Sequence, residues 1–315
     1  MDNLVFSLNV TMPVFLLMVL GYFLKKVGLL DEAFSQKLNK FVFTLPLPMV
    51  LFKDLAVLDL ATSWNTKFVL FCFVVTILSI VISYLMSFLW KDKSIRGEYV
   101  QASYRSSAAI LGVAFIQNMY GSSAMGPLMV LGSVPLYNIM AVMVLNLMKP
   151  DGSGRLTLDT MKKTLKGVVT NPILIGVAAG FLWSAFRIPM KGILLKTVSN
   201  ISSLATPLGL LAMGATFDFR KLSGKLLPSV IASLSKLCLF VLVFLPLAVL
   251  LGFRNEALMA ILVMLGSATT VSAYVMAKSM GHEGTLTSTT VALTTLFAAF
   301  TLTLWIFILK SLAFI

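Results

Sequence analysis

The chain repeats itself once, at an offset of 159 residues. Pro13 is matched by Pro172, Gly21 by Gly180 and Pro48 by Pro207. The text around these positions is similar in kind: PVFLLMVLGYFL stands against PILIGVAAGFLW, and TLPLPMVLF against SLATPLGLL. Further on the offset becomes 160, where Ser107 matches Ser267, Ala108 matches Ala268 and Gly121 matches Gly281. Matches in one order at one spacing indicate a duplicated unit. In a membrane chain, a unit with an odd number of spans inserts upside down relative to its twin, and such inverted pairs are typical of secondary transporters.

The membrane setting follows from composition. The chain is 58% hydrophobic and 12% charged, against roughly 25% charged in soluble domains. The formal net charge of +13 does not indicate a nucleic-acid partner, because the basic residues sit in short loops, where they set topology. The partner that this distribution implies is the lipid bilayer of the cell membrane. Cys72 and Cys238 lie in apolar runs without ligand-spaced partners and read as packing residues. The run 4–24 lacks the basic n-region and cleavage pattern of a signal peptide and reads as the first span.

Ten segments have the length and character of spans: 4–24, 37–55, 67–90, 98–119, 124–147, 166–186, 194–214, 226–252, 256–280 and 285–310. With the N-terminus outside, sixteen Lys and Arg fall on the inner side and seven on the outer. This places both termini on the non-cytoplasmic side. The expected fold is therefore all-α and polytopic: residues 1–147 form one five-helix repeat, 148–165 a cytoplasmic linker and 166–315 the second, inverted repeat.

Segments 2, 4, 7 and 9 are the irregular ones, and the repeat pairs 2 with 7 and 4 with 9. Pro46, Pro48 and Pro207 are expected to break segments 2 and 7. Segments 4 and 9 carry SSAAILG and GSATTVSA, small and hydroxyl residues that let backbones approach closely. Irregular backbone at membrane depth survives only against protein or a water-filled cavity. Discontinuous helices in corresponding positions of two inverted halves point to a midplane site, where half-helix N-termini attract anions. The candidate binding residues are Arg105, Ser106, Ser107 and Gly112 on segment 4, and Gly266, Ser267, Thr269, Thr270 and Ser272 on segment 9. Ordinary small-residue packing is the alternative for all of them.

Arg105 reads two ways, as counter-charge to an anionic substrate or as a side chain snorkelling to the inner headgroups. Asn138, in SVPLYN of segment 5, is a further candidate. Lys236 lies within the eighth segment. The acidic residues all fall in loops or at span ends, so no buried proton relay is evident. The single histidine, His282, is in a loop. No metal-binding, nucleotide-binding or nucleophilic-catalysis motif occurs, which leaves no basis for an enzyme or a resident cofactor. The expected site is lopsided, since Arg105 has Met264 or Leu265 opposite it in the repeat.

The ordered set PVFLLMVLGYFLKKVGLLDE, LPLPMVLFKDLA, YRSSAAILGVAFIQNMYG, VPLYNIMAVMVLNL, NPILIG, TPLGLLAMGATFD and GSATTVSAYVMAKSMG resembles the auxin efflux carrier family, which includes bacterial malate or malonate permeases. The resemblance covers nearly the whole chain. It implies ten spans in an inverted five-plus-five repeat, with helices 4 and 9 broken and crossing. It also implies a scaffold of helices 1, 2, 6 and 7, elevator-like movement of small organic anions and a tendency to form homodimers. Plant members carry proline at the crossover, whereas segments 4 and 9 here contain none, so Gly, Ser and Thr must make the breaks. Related bile-acid transporters bind sodium at such a crossover, which leaves a proton gradient, a sodium gradient or facilitated transport open. The resulting expectation is a secondary transporter of small organic carboxylates. A sodium-coupled carrier of steroid-like anions, a channel and a membrane ligand sensor are its rivals.

Overall fold

The computed structural model describes residues 2–57, 64–121, 124–150, 158–215 and 225–315, and their regular structure is helical. Six helices are long and apolar enough to cross a membrane, so this is a multi-pass membrane protein: Asn3–Lys26, Thr66–Ser87, Met125–Leu147, Gly192–Ala215, Leu226–Leu250 and Thr285–Ser311. The four remaining segments read as spans are shorter or interrupted, and the interruptions build the interior.

The helices run as follows: α1 Asp2–Lys26, α2 Glu32–Thr44, α3 Pro46–Ala56, α4 Thr66–Ser87, α5 Arg96–Tyr104 and α6 Val113–Tyr120. Then come α7 Met125–Leu147, α8 Leu158–Val169, α9 Pro172–Ala185, α10 Gly192–Ser203 and α11 Ala205–Ala215. The chain finishes with α12 Leu226–Leu234, α13 Phe240–Leu250, α14 Asn255–Gly266, α15 Val271–Ser279 and α16 Thr285–Ser311. Segment 2 divides at Leu45, whose ψ of −68° and φ of −128° are not helical. Pro46 starts the next helix at its first position, where the missing N–H costs nothing. Segment 7 divides at Leu204, three residues before Pro207.

The linker region differs from expectation. Positions 151–157 lie outside the described residues, but 158–165 belong to α8 rather than to a loop. Asn171 ends that stretch by capping α9 through Ile173 N, with Pro172 at the first helical position. Leu158, Met161, Leu165 and Val169 form an exposed apolar stripe on α8. This suits a helix lying at the membrane interface.

Two glycine contacts are related by the repeat. At Gly21 on α1 an added Cβ would lie 2.2 Å from Leu211 O on α11; at Gly180 on α9 it would lie 2.7 Å from Phe52 O on α3. Phe52 and Leu211 are themselves 159 positions apart. The first helix of each half thus crosses the late part of the second helix of the other half, backbone against backbone. Gly214 is tighter still, with a Cβ only 1.8 Å from Met18 O. Gly214→Ala must therefore separate two backbones, and its melting temperature in detergent is expected to fall by roughly 5–10 °C. Gly167→Ala, with nothing within 4 Å, is the control expected to leave it unchanged.

Candidate binding site at the helix interruptions

Segments 4 and 9 are both interrupted, and the interruptions touch. After α5 the backbone becomes extended at Arg105, with φ −77° and ψ 113°. It resumes as a π-helical turn, Ala108–Gly112, that leads into α6. After α14 it becomes extended at Ser267, with φ −76° and ψ 161°, and resumes at Val271 as α15. Ser106 and Thr269 form an antiparallel bridge, and Ser107 N donates to Ala268 O at 2.9 Å. No proline is needed, because each strand-like stretch gives the other a backbone partner at a place where water cannot.

The crossing gathers four helix ends. Two are C-termini, at Tyr104 and Gly266, whose last carbonyls carry partial negative charge; two are N-termini, near Ala108 and Val271, whose first N–H groups carry partial positive charge. The protein treats the two kinds differently. At the C-termini sits the ammonium of Lys236, which is 1% exposed. It donates to Tyr104 O at 3.2 Å, to Met264 O at 3.3 Å and to Ser106 Oγ. Ser106 Oγ in turn donates to Met264 O. A π-helical turn, Ser235–Leu239, between α12 and α13 carries this lysine; such bulges recur at functional sites.

On the N-terminal side lies a cavity of about 230 Å³. Arg105, 5% exposed, turns into it rather than out towards headgroups. Its Nη2 donates to Asn138 Oδ1 at 2.8 Å and to Ser272 Oγ at 3.3 Å, and its Nη1 to Met276 Sδ at 2.9 Å. Ser106, Ser107 and Thr270 complete the polar part of the wall, together with Asn171 and Tyr137; no carboxylate among the described residues lines it. Thr270 Oγ1 and Ser272 Oγ are 3.2 Å apart. A buried guanidinium without a counter-ion is costly, and here its partners are only neutral dipoles. An anion with hydrogen-bond acceptors fits this arrangement.

Six of the sequence-derived candidates therefore converge on the cavity: Arg105, Ser106, Ser107, Asn138, Thr270 and Ser272. Gly112, Gly266, Ser267 and Thr269 do not line it. Gly112 and Gly266 make room for Met129 and Val241 side chains, at 3.1 and 2.9 Å from an added Cβ. Thr269 ties the crossing down, donating from Oγ1 to Ala102 O at 2.9 Å and from N to Thr294 Oγ1 at 3.0 Å. Ser267 Oγ is buried without a partner among the described residues.

Lys236 was not singled out by sequence reasoning, although a lone lysine in a long apolar span was a usable signal. Lys236 stands at the crossing but does not line the cavity, where Arg105 is the cation among the described residues. Asn171, Tyr137 and Met276 carried no such signal. Glu98, placed by sequence at a span end, is 2% exposed and accepts from Gly284 N at 2.7 Å, Thr287 N at 3.0 Å and Thr287 Oγ1 at 2.9 Å. It caps the positive end of α16. His282 is buried too, its Nε2 2.8 Å from Leu145 O. No cluster of metal-binding side chains occurs among the described residues.

Known proteins share this sequence pattern. The family model described as membrane transport protein matches residues 6–306. An uncharacterized transporter from Methanothermobacter thermautotrophicus is 22% identical over 307 residues, which is 95% of this chain and 97% of that protein. With interrupted helices meeting beside a cationic cavity and a family match running almost from end to end, the chain belongs to the membrane transport protein family, that of the auxin efflux carriers, and is a transporter rather than an enzyme.

Proposed function

We propose that this transporter is a secondary carrier of small organic carboxylates across the cell membrane. In this reading ten spans form an inverted five-plus-five repeat with both termini outside, and segments 98–119 and 256–280 are the broken, crossing helices. The repeat-related contacts Gly21–Leu211 and Gly180–Phe52 support the inversion. The observation that carries the substrate class is Arg105, a buried guanidinium facing a cavity whose wall, among the described residues, combines hydroxyls and amides with apolar side chains such as Phe43, Ile110 and Ile173 and includes no acid. A carboxylate there would meet the guanidinium fork and the first-turn N–H groups of α15 and of the π turn at Ala108. The cavity's size favours a small acid, because sites for drug-sized ligands run to about 300–1,000 Å³.

Coupling to sodium is disfavoured by Lys236. Its ammonium already occupies the cluster of carbonyl and hydroxyl oxygens where a cation at the crossing would bind. The purified protein is therefore expected to be stabilised by one or more mono- or dicarboxylates equally in sodium and in choline salts, read by thermal shift. Reconstituted vesicles should then show saturable uptake of the same acid, with counterflow. A strict sodium requirement for binding, with steroid-like anions preferred, supports the rival carrier; binding without uptake supports a sensor.

A further inference from the structure

A second cavity, of about 630 Å³, opens between α4 and α7. Its floor is apolar: Ile80, Val81 and Tyr84 on α4, Met140, Met143 and Val144 on α7. Its mouth is basic, formed by Lys93, Arg96 and Lys149. From Ile80 to Phe88, and from Met140 to Met148, the groove follows eight residues of helix, about 12 Å. That covers most of one leaflet's roughly 15 Å of hydrocarbon.

No acidic side chain among the described residues pairs with the charge at the mouth. Among the described residues, Asp92 next to Lys93 in sequence is already engaged: Lys225 Nζ lies 3.0 Å from its Oδ2, and Ser94 Oγ donates to its Oδ1 at 2.6 Å. The Ser94 hydroxyl and Lys225 together hold the Asp92 carboxyl down at about 2. No ion pair to Lys93, Arg96 or Lys149 is found among the described residues. Arg96 is fixed at the rim, its Nε and Nη2 donating to Trp90 O at 3.0 and 2.7 Å and its guanidinium lying 5.1 Å over the Phe88 ring.

We propose that this groove is a binding site for one anionic phospholipid, its phosphate held by Lys93, Arg96 and Lys149 and one acyl chain lying between α4 and α7. A soluble anion would use the mouth but leave the apolar floor uncovered; a neutral lipid would use the floor but leave three cations unpaired. Basic pockets between spans are a recurring mode of lipid-headgroup recognition. In the topology proposed above this is the cytoplasmic leaflet, but the test does not depend on that orientation.

The test is native mass spectrometry of the purified protein exchanged into equal amounts of phosphatidylglycerol and phosphatidylcholine. Wild type is expected to retain one phosphatidylglycerol in preference, by about tenfold. Lys93→Gln/Lys149→Gln, which leaves the structural Arg96 in place, should bring the ratio close to one. Met143→Trp should fill the floor and reduce retention of either lipid, while Lys37→Gln/Lys40→Gln, elsewhere on the same side, should leave the preference intact. Equal retention of the two lipids by wild type overturns the proposal. So does an unchanged preference in the Lys93/Lys149 variant, or full displacement of the phosphatidylglycerol by millimolar inorganic phosphate.

Discussion

Lys236→Met is expected to lose both transport and stability. The ammonium serves three buried acceptors, Tyr104 O, Met264 O and Ser106 Oγ, two of them at the negative ends of helices. Methionine is close in length but has no donor to offer. Burying an ammonium costs several kcal/mol, and the variant is spared that cost, yet Tyr104 O and Ser106 Oγ lose their charged donor and Met264 O keeps only Ser106 Oγ, so the expected net loss is about 2–3 kcal/mol. The melting temperature in detergent should fall by about 10 °C and uptake by at least about 100-fold. Lys236→Ala makes a sharper case. It leaves a hole walled by the same oxygens, hard ligands of the kind that suit an alkali cation. Its melting temperature should therefore rise with sodium chloride relative to choline chloride, a response that wild type lacks. Wild-type uptake by either variant would remove Lys236 from the mechanism.

The length of the apolar runs was enough to locate the six helices that are long and apolar enough to cross a membrane, because a lipid-facing helix has to be apolar along its whole length. The boundaries that failed did so where the chain turns for local reasons. Segment 166–186 was read as starting before Pro172, but the basic stretch ahead of it forms a separate amphipathic helix, Leu158–Val169, which hydropathy alone merges with its neighbour. The division at Leu45 was legible in the proline that follows it; the division at Leu204 lies three residues ahead of Pro207 and was only approximately so. For segments 4 and 9 the sequence offered clusters of small and hydroxyl residues, and these coincide with the interruptions at Arg105–Ser107 and Ser267–Thr270. Composition could not say which members of each cluster face the cavity. Thr270 does and Thr269, one position earlier, does not, because Thr269 is tied to Ala102 O and Thr294 Oγ1. Lys236 was overlooked for a related reason: its role depends on carbonyls 28 and 132 positions away in sequence, a relation no local pattern encodes.

Arg105→Ala is the companion experiment, and its signature should be the opposite in stability. Arg105 holds no helix end together; Asn138, Ser272 and Met276 are neutral partners that accept from it. A guanidinium buried without a counter-ion is a net cost to the folded protein, as expected of a group kept for a ligand rather than for the fold. The alanine variant should melt at or slightly above the wild-type temperature while losing affinity for the carboxylate by about 10–100-fold, the worth of one or two charged hydrogen bonds. Arg105→Lys keeps the charge but not the planar fork that spans Asn138 and Ser272, so its affinity should fall between the two. Asn138→Ala frees the guanidinium from its shortest oxygen partner and should weaken binding by less, since the charge remains. Isothermal titration with the acid identified by thermal shift measures all three on one scale. Undiminished affinity in Arg105→Ala would mean that the anion binds elsewhere. A large drop in its melting temperature would mean that the guanidinium is structural, as Lys236 is. Loss of binding without loss of stability is the combination that separates a substrate counter-charge from a scaffold residue.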